Sequence, residues 1–176
     1  KDKNFLQFLL SIITGINKKM KDSLNIAIAG ATGYTGLELV KILSKHPNVK
    51  IAYLCAKKSI GKSIKSFNKK IYNKKLPKIS KVKDINWKNL NIIFTALPNG
   101  EAQKIAKFLP QSVKLIDLSA DFRIKNEKIY KKWYKKNHQC KYLIKKALYS
   151  ITEFSRVSLK KYNIVSCPGC YPTSIQ

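Results

Sequence analysis

Acidic residues are scarce in this chain of 176 residues: 9 Asp+Glu stand against 36 Lys+Arg, a formal charge of +27. Arginine is scarcer still, with only Arg123 and Arg156, so the positive charge is nearly all lysine. Bidentate readers of bases and phosphates are usually built with arginine. The lysine excess, accompanied by much isoleucine and asparagine, therefore reads as a solvated surface of biased composition, and a basic nucleic-acid-binding module is kept only as the rival reading. Long apolar runs are also missing. The best stretch, Phe5 to Ile16, is interrupted by polar residues and falls short of the ~18 apolar residues of a membrane helix, which excludes a helical span. Four cysteines, of which only Cys167 and Cys170 lie close together, do not make a secreted disulfide framework and point to a reducing, cytoplasmic setting.

What is present is enough for a core: 44% of the residues are apolar and 10% aromatic. The single methionine, Met20, precedes a strongly apolar strand, so residues 1–19 read as an extraneous or flexible N-terminal segment. From Leu24 the pattern is regular. LNIAIAG, VKIAYLCA, NIIFTAL, VKLIDLS and NIVSC read as short buried strands. Between them, YTGLELVKILSKH, EAQKIAKFL and KNEKIYKKWYKKN read as helices, the last with Ile129 and Trp133 as an inward stripe. The lysine-rich stretch from Lys57 to about Asn89 reads as loop with short irregular elements. Strands alternating with helices predict an α/β fold with a parallel sheet and right-handed crossovers.

The most informative local motif is Gly30-Ala-Thr32-Gly33-Tyr34-Thr35-Gly36, between the first strand and the first helix. Glycines there permit a tight turn and let backbone N–H groups approach a pyrophosphate, with the helix N-terminus behind them. At the end of the second strand, where an NAD enzyme would place Asp or Glu on the ribose, the sequence has Lys57, Lys58 and Ser59. Cations and a hydroxyl suit a 2′-phosphate, hence NADP(H). Cys167-Pro-Gly-Cys170 has three readings: a redox dithiol, a zinc half-site completed by His138 and Cys140, or a turn that presents Cys170 as a nucleophile at the carboxyl end of a strand.

Taken together, GATGYTGLEL at 30–39, FTALPNGEA at 94–102, IDLSADFR at 116–123, YKKWY at 130–134 and PGCYPTS at 168–174 resemble the N-acetyl-γ-glutamyl-phosphate reductases, enzymes of arginine biosynthesis. The resemblance runs from Met20 onward. It implies a Rossmann-like NADP-binding domain over 20–167 and the opening of a catalytic and dimerisation domain over 168–176, where the chain is cut short. NADP(H) would be held by Gly30, Thr32, Gly33, Tyr34, Thr35, Gly36, Lys58, Ser59, Ala96, Leu97 and Pro98. Cys170 would attack the acyl phosphate, beside a substrate loop with Asp117, Ser119, Asp121 and Arg123, and no metal is implied. Ser150 and Cys167 stand where the family usually has glycine and often asparagine. The family's catalytic histidine follows the cysteine motif, and neither His46 nor His138 suits that role, so the chain by itself is expected to be inactive. The whole enzyme is expected to be a homo-oligomer acting on a small molecule, with aminoadipyl- and aspartyl-phosphate reductases of the same superfamily as alternatives.

Overall fold

The computed structural model describes residues 23–71, 75–151, 155 and 159–175. The segment 1–19 lies outside them. The chain divides into two compact units, one within Lys21–Leu97 and the other within Pro98–Gln176.

In the first unit, β1 (Leu24–Ala29), β2 (Val49–Cys55), β3 (Ile79–Ser80) and β4 (Ile92–Thr95) form a parallel array in the order β3-β2-β1-β4. Five of the six residues of β1 are buried, and all four of β4, as expected of central strands covered on both faces. Helix α1 (Tyr34–Leu43) buries Gly36, Leu39, Val40 and Leu43 at helical spacing. Among its described residues, the lysine-rich stretch is loop with three short 3-10 turns, plus the two-residue β3.

In the second unit, β5 (Lys114–Asp117), β6 (Ala147–Tyr149) and β7 (Ile164–Ser166) are parallel in the order β5-β7-β6. Around them lie α2 (Glu101–Ala106), α3 (Glu127–Tyr134), α4 (Lys141–Ile144) and α5 (Cys170–Ile175). Asn126 caps α3, its side chain accepting from the N–H groups of Lys128 and Ile129. The expected inward stripe of α3 is corrected here. Ile129 is 46% and Trp133 70% exposed, whereas Tyr130, between them in sequence, is fully buried. Helical spacing defines a face but not which face turns inward. Tyr130 wins because polar partners wait for its hydroxyl inside the unit: it donates to Asp121 and accepts from Asn99 and Gln103.

Candidate functional sites

The glycine turn of the first unit is built by close approach. Gly30 has φ +87, and a Cβ there would lie 2.1 Å from the carbonyl oxygen of Ala96, while one on Gly36 would lie 2.0 Å from the carbonyl oxygen of Gly30. Neither position admits a side chain. Both Gly30 and Ala31 donate their N–H to the carbonyl of Cys55, at 2.9 and 3.0 Å, which ties the turn to the end of β2. Gly33 differs: a Cβ there would meet only the Gly30 carbonyl, at an ordinary 3.4 Å. Gly33 is the N-cap of α1 and has no side chain to accept the first-turn N–H groups. Tyr34, Thr35 and Gly36 open the helix, so their N–H groups have no carbonyl within it, and the dipole adds positive character. This end of α1 can take an anion.

The neighbouring expected residues follow the same edge of the first unit. Ala96 continues β4 by donating to Ala29 at 2.9 Å, and Leu97 comes next. Lys57 and Lys58 are exposed on the loop that leaves β2, and Ser59 adopts φ 64, a left-handed conformation uncommon for a residue with a side chain. Thr32 is half-buried. Pro98 opens the second unit, where its carbonyl accepts from Glu101 in a turn.

In the second unit, the loop after β5 is held by its own side chains. Asp117 Oδ1 accepts from the backbone N–H and the hydroxyl of Ser119, at 3.0 and 2.6 Å, and the Ser119 hydroxyl accepts from the N–H of Asp121. Asp121 is buried, and its carboxylate accepts from Asn99 Nδ2, Gly100 N, Gln103 N, Gln103 Nε2 and the Tyr130 hydroxyl. Gly100, the left-handed N-cap of α2, has no side chain to cap the helix, and Asp121 supplies the missing acceptor. Burial and the Asp121 charge push the Tyr130 hydroxyl up to about 12.

His138 closes this network from below and was not expected in it. Its Nδ1 accepts from the N–H of Cys140 at 3.0 Å, so its proton sits on Nε2, which donates to the carbonyl of Asp121 at 3.0 Å. Burial lowers its pKa. With both ring nitrogens committed to the backbone, and the Cys140 thiol donating to the Gln103 carbonyl at 3.2 Å, the zinc half-site has no partners here. His46 half-exposed at the end of α1 accepts from the N–H of Asn48.

Arg123 links this loop to the cysteines. Its Nε donates to the carbonyl of Cys167 at 2.9 Å and its Nη2 to that of Leu118 at 3.0 Å, and a Cβ at Gly169 would stand 3.2 Å from its Nη1. Cys167 is buried just past β7, and burial together with the Asp117 charge pushes its thiol well above the usual range. Cys170 is exposed and begins α5, where the Gly169 carbonyl accepts from the N–H and hydroxyl of Thr173. Cys55 and Cys140 are buried, and burial raises the pKa of both. Cys170 is thus the one solvent-facing thiol of the four.

A buried parallel strand, a glycine turn and an uncapped helix N-terminus in succession are the opening of a Rossmann-like dinucleotide-binding domain. Residues 25–162 match the family described as "Semialdehyde dehydrogenase, NAD binding domain", and the chain belongs to that family. The chain is 45% identical over 157 residues to N-acetyl-gamma-glutamyl-phosphate reductase of Ehrlichia canis, with 89% of this chain and 45% of that protein covered. With the probable chloroplastic enzyme of the same name from Arabidopsis thaliana it shares 39% identity over 158 residues, covering 90% of this chain and 39% of that protein. Among solved structures, aspartate semialdehyde dehydrogenase II of Vibrio cholerae superposes with a TM-score of 0.59 at 19% identity, covering 88% of this chain and 44% of that one, a likeness of fold. The chain thus spans less than half the length of these relatives. Among the described residues no helix is long and apolar enough to cross a membrane.

Proposed function

We propose that this chain supplies the dinucleotide-binding turn and the nucleophile for NADPH-dependent reduction of N-acetyl-γ-glutamyl phosphate to the semialdehyde, a step of arginine biosynthesis. Residues 20–167 are read as the dinucleotide-binding domain. The names of the relatives at 39–45% identity support the substrate. The observation that carries the chemistry is the contrast between Cys170, exposed after a rigid turn, and Cys167, buried three residues earlier.

The residues present fit a dinucleotide: Gly30 and Gly36 leave no room for a Cβ, and the uncapped N–H groups of Tyr34, Thr35 and Gly36 suit its pyrophosphate. Lys58 and Ser59, on the loop leaving β2, would hold the 2′-phosphate of NADP(H), and Ala96, Leu97 and Pro98 would flank the rest. In the reaction, the Cys170 thiolate attacks the acyl carbon. The sulfur–carbon bond forms, the carbon–oxygen bond to phosphorus breaks, and inorganic phosphate leaves with the electron pair, giving a thioester on Cys170. Reduced nicotinamide dinucleotide, when bound, supplies the hydride that takes this thioester to the aldehyde level. Arg123 positions the turn that carries Cys170 through the Cys167 carbonyl, and Ser119 and Asp121 shape the loop that carries Arg123.

Alkylation with iodoacetamide at neutral pH, read by peptide mass spectrometry, tests the assignment of the thiol. Cys170 labels first, and bound NADPH survives the labelling. Preferential labelling of Cys167, or a Cys167–Cys170 disulfide under mild reductant, would restore the dithiol reading and overturn this one.

A further inference from the structure

The second unit holds a cleft that the proposed reaction leaves unused. It lies at the amino ends of the parallel strands β5, β6 and β7, formed by the segments that lead into them, whereas Cys170 follows their carboxyl ends. Its volume, about 500 Å³, falls within the ~300–1,000 Å³ of small-molecule sites. Lys107, Lys146 and Lys161 line it together with Tyr142, Pro110 and Leu143, and no acidic residue does.

Three features make this more than a stretch of lysine-rich surface. First, Lys41, Lys104 and Lys141 form ion pairs with Glu38, Glu101 and Glu127, whereas none of the three cleft lysines is ion-paired among the described residues. Their charges converge on a concavity with an apolar floor, where the field is focused and less screened than on a convex face. Second, the walls are pre-formed. Asn163 Nδ2 donates to the Gln111 carbonyl at 3.0 Å, and the half-buried ammonium of Lys114 donates to the carbonyls of Leu159 and Tyr162 at 3.4 and 2.6 Å, which fixes the segment carrying Lys161. Turns Val113 N–H to Pro110 carbonyl and Lys146 N–H to Leu143 carbonyl fix the other sides. Third, the Tyr142 ring is 60% exposed at the cleft, a surface on which a planar ring can stack.

We propose that this cleft binds a nucleotide-class polyanion, a small molecule joining two or more phosphates to a planar ring. The lysines take the phosphates by charge-assisted hydrogen bonds and Tyr142 takes the ring. This inference does not rest on the reductase reading, because its residues share nothing with the glycine turn or the cysteines.

Calorimetric titration of the whole chain with ATP at physiological salt, with NADP present in excess, tests it, with inorganic triphosphate and adenosine as separate arms. ATP binds saturably. The double substitution Lys107→Ala/Lys161→Ala weakens it at least about tenfold, Tyr142→Ala weakens ATP severalfold but not triphosphate, and the pair Lys65→Ala/Lys69→Ala, which does not line the cleft, changes nothing. Gly33→Ala, which disables the glycine turn, leaves ATP binding intact, so failure of the dinucleotide reading is told apart from failure of this one. Absence of saturable ATP binding, equal weakening by the Lys65/Lys69 pair, or triphosphate binding as tightly as ATP would each overturn the proposal.

Discussion

Arg123 Nε donates to the carbonyl oxygen of Cys167 at 2.9 Å, so a side chain from the loop after β5 holds the residue from which the cysteine turn departs. The same guanidinium donates to the Leu118 carbonyl at 3.0 Å. A fork of donors can serve two carbonyls at once, and a lysine ammonium at the end of a flexible stem cannot reproduce that geometry. Arg123→Lys is therefore expected to destabilise the chain by about 1–3 kcal/mol, a range lowered for partial exposure. Urea unfolding measures it, and an unchanged midpoint would show that the clamp contributes nothing.

The glycines separate fold from ligand. Gly36→Ala puts a Cβ 2.0 Å from the Gly30 carbonyl oxygen, so the backbone must move and both stability and NADPH binding fall. Gly33→Ala meets only a 3.4 Å contact, so the fold stays and dinucleotide affinity drops about tenfold or more because the Cβ stands in the path of the pyrophosphate. Circular dichroism with NADPH titration reads both; unchanged affinity of Gly33→Ala would remove the turn from the binding site.

NADPH is expected to bind more tightly than NADH, by about ten- to a hundredfold for one charge-assisted contact to the 2′-phosphate. Lys58→Ala erodes the difference without removing NADH binding. Equal or tighter binding of NADH by the unmodified chain contradicts this assignment of the loop leaving β2.

His138 predicts a pH dependence of stability. Burial lowers its folded-state pKa below the ordinary value of 6.5, and its neutral form donates to Asp121 and accepts from Cys140. Above 6.5 both folded and unfolded states hold it neutral, and the full contribution is present. As the pH falls below 6.5 the unfolded state takes up the proton first, so stability is lost through the window between the two values. Urea midpoints at pH 7.5 and 5.5 measure the loss, and His138→Gln reduces it.

The two histidines also bear on turnover. His138 has both ring nitrogens committed to the backbone and His46 Nδ1 accepts from the N–H of Asn48, so neither of the two histidines of the sequence is assigned proton transfer at Cys170. Assayed alone, the chain is expected to bind NADPH and show no phosphate-dependent oxidation of N-acetylglutamate semialdehyde.

Much of this was legible in the residues because turn chemistry is local. Three glycines between a buried strand and an amphipathic helix have few other uses, and Pro168-Gly169 marks the turn that leaves Cys170 outside and Cys167 within. The five main strands announce themselves by apolar runs, whereas Ile79–Ser80 and Ala147–Tyr149 are too short to carry a pattern. Tyr130 was hidden because its partners are polar and scattered over Asn99, Gln103 and Asp121, so its neighbours Ile129 and Trp133 looked the better core residues. Asp121 pointed to a substrate loop, and the structure spends its carboxylate on a helix whose own N-cap is glycine. The sequence signal for that was Gly100 itself, a cap without a capping group.

The most direct test of the account is a search for the acyl-enzyme. The chain, mixed with N-acetyl-γ-glutamyl phosphate without NADPH, quenched in acid and digested, should yield the peptide carrying Cys170 with the mass of one N-acetylglutamyl thioester. The adduct should be absent in Cys170→Ser and retained in Cys167→Ser. An adduct on Cys167, or none on any cysteine while phosphate is released, would contradict the assignment of Cys170 as the nucleophile.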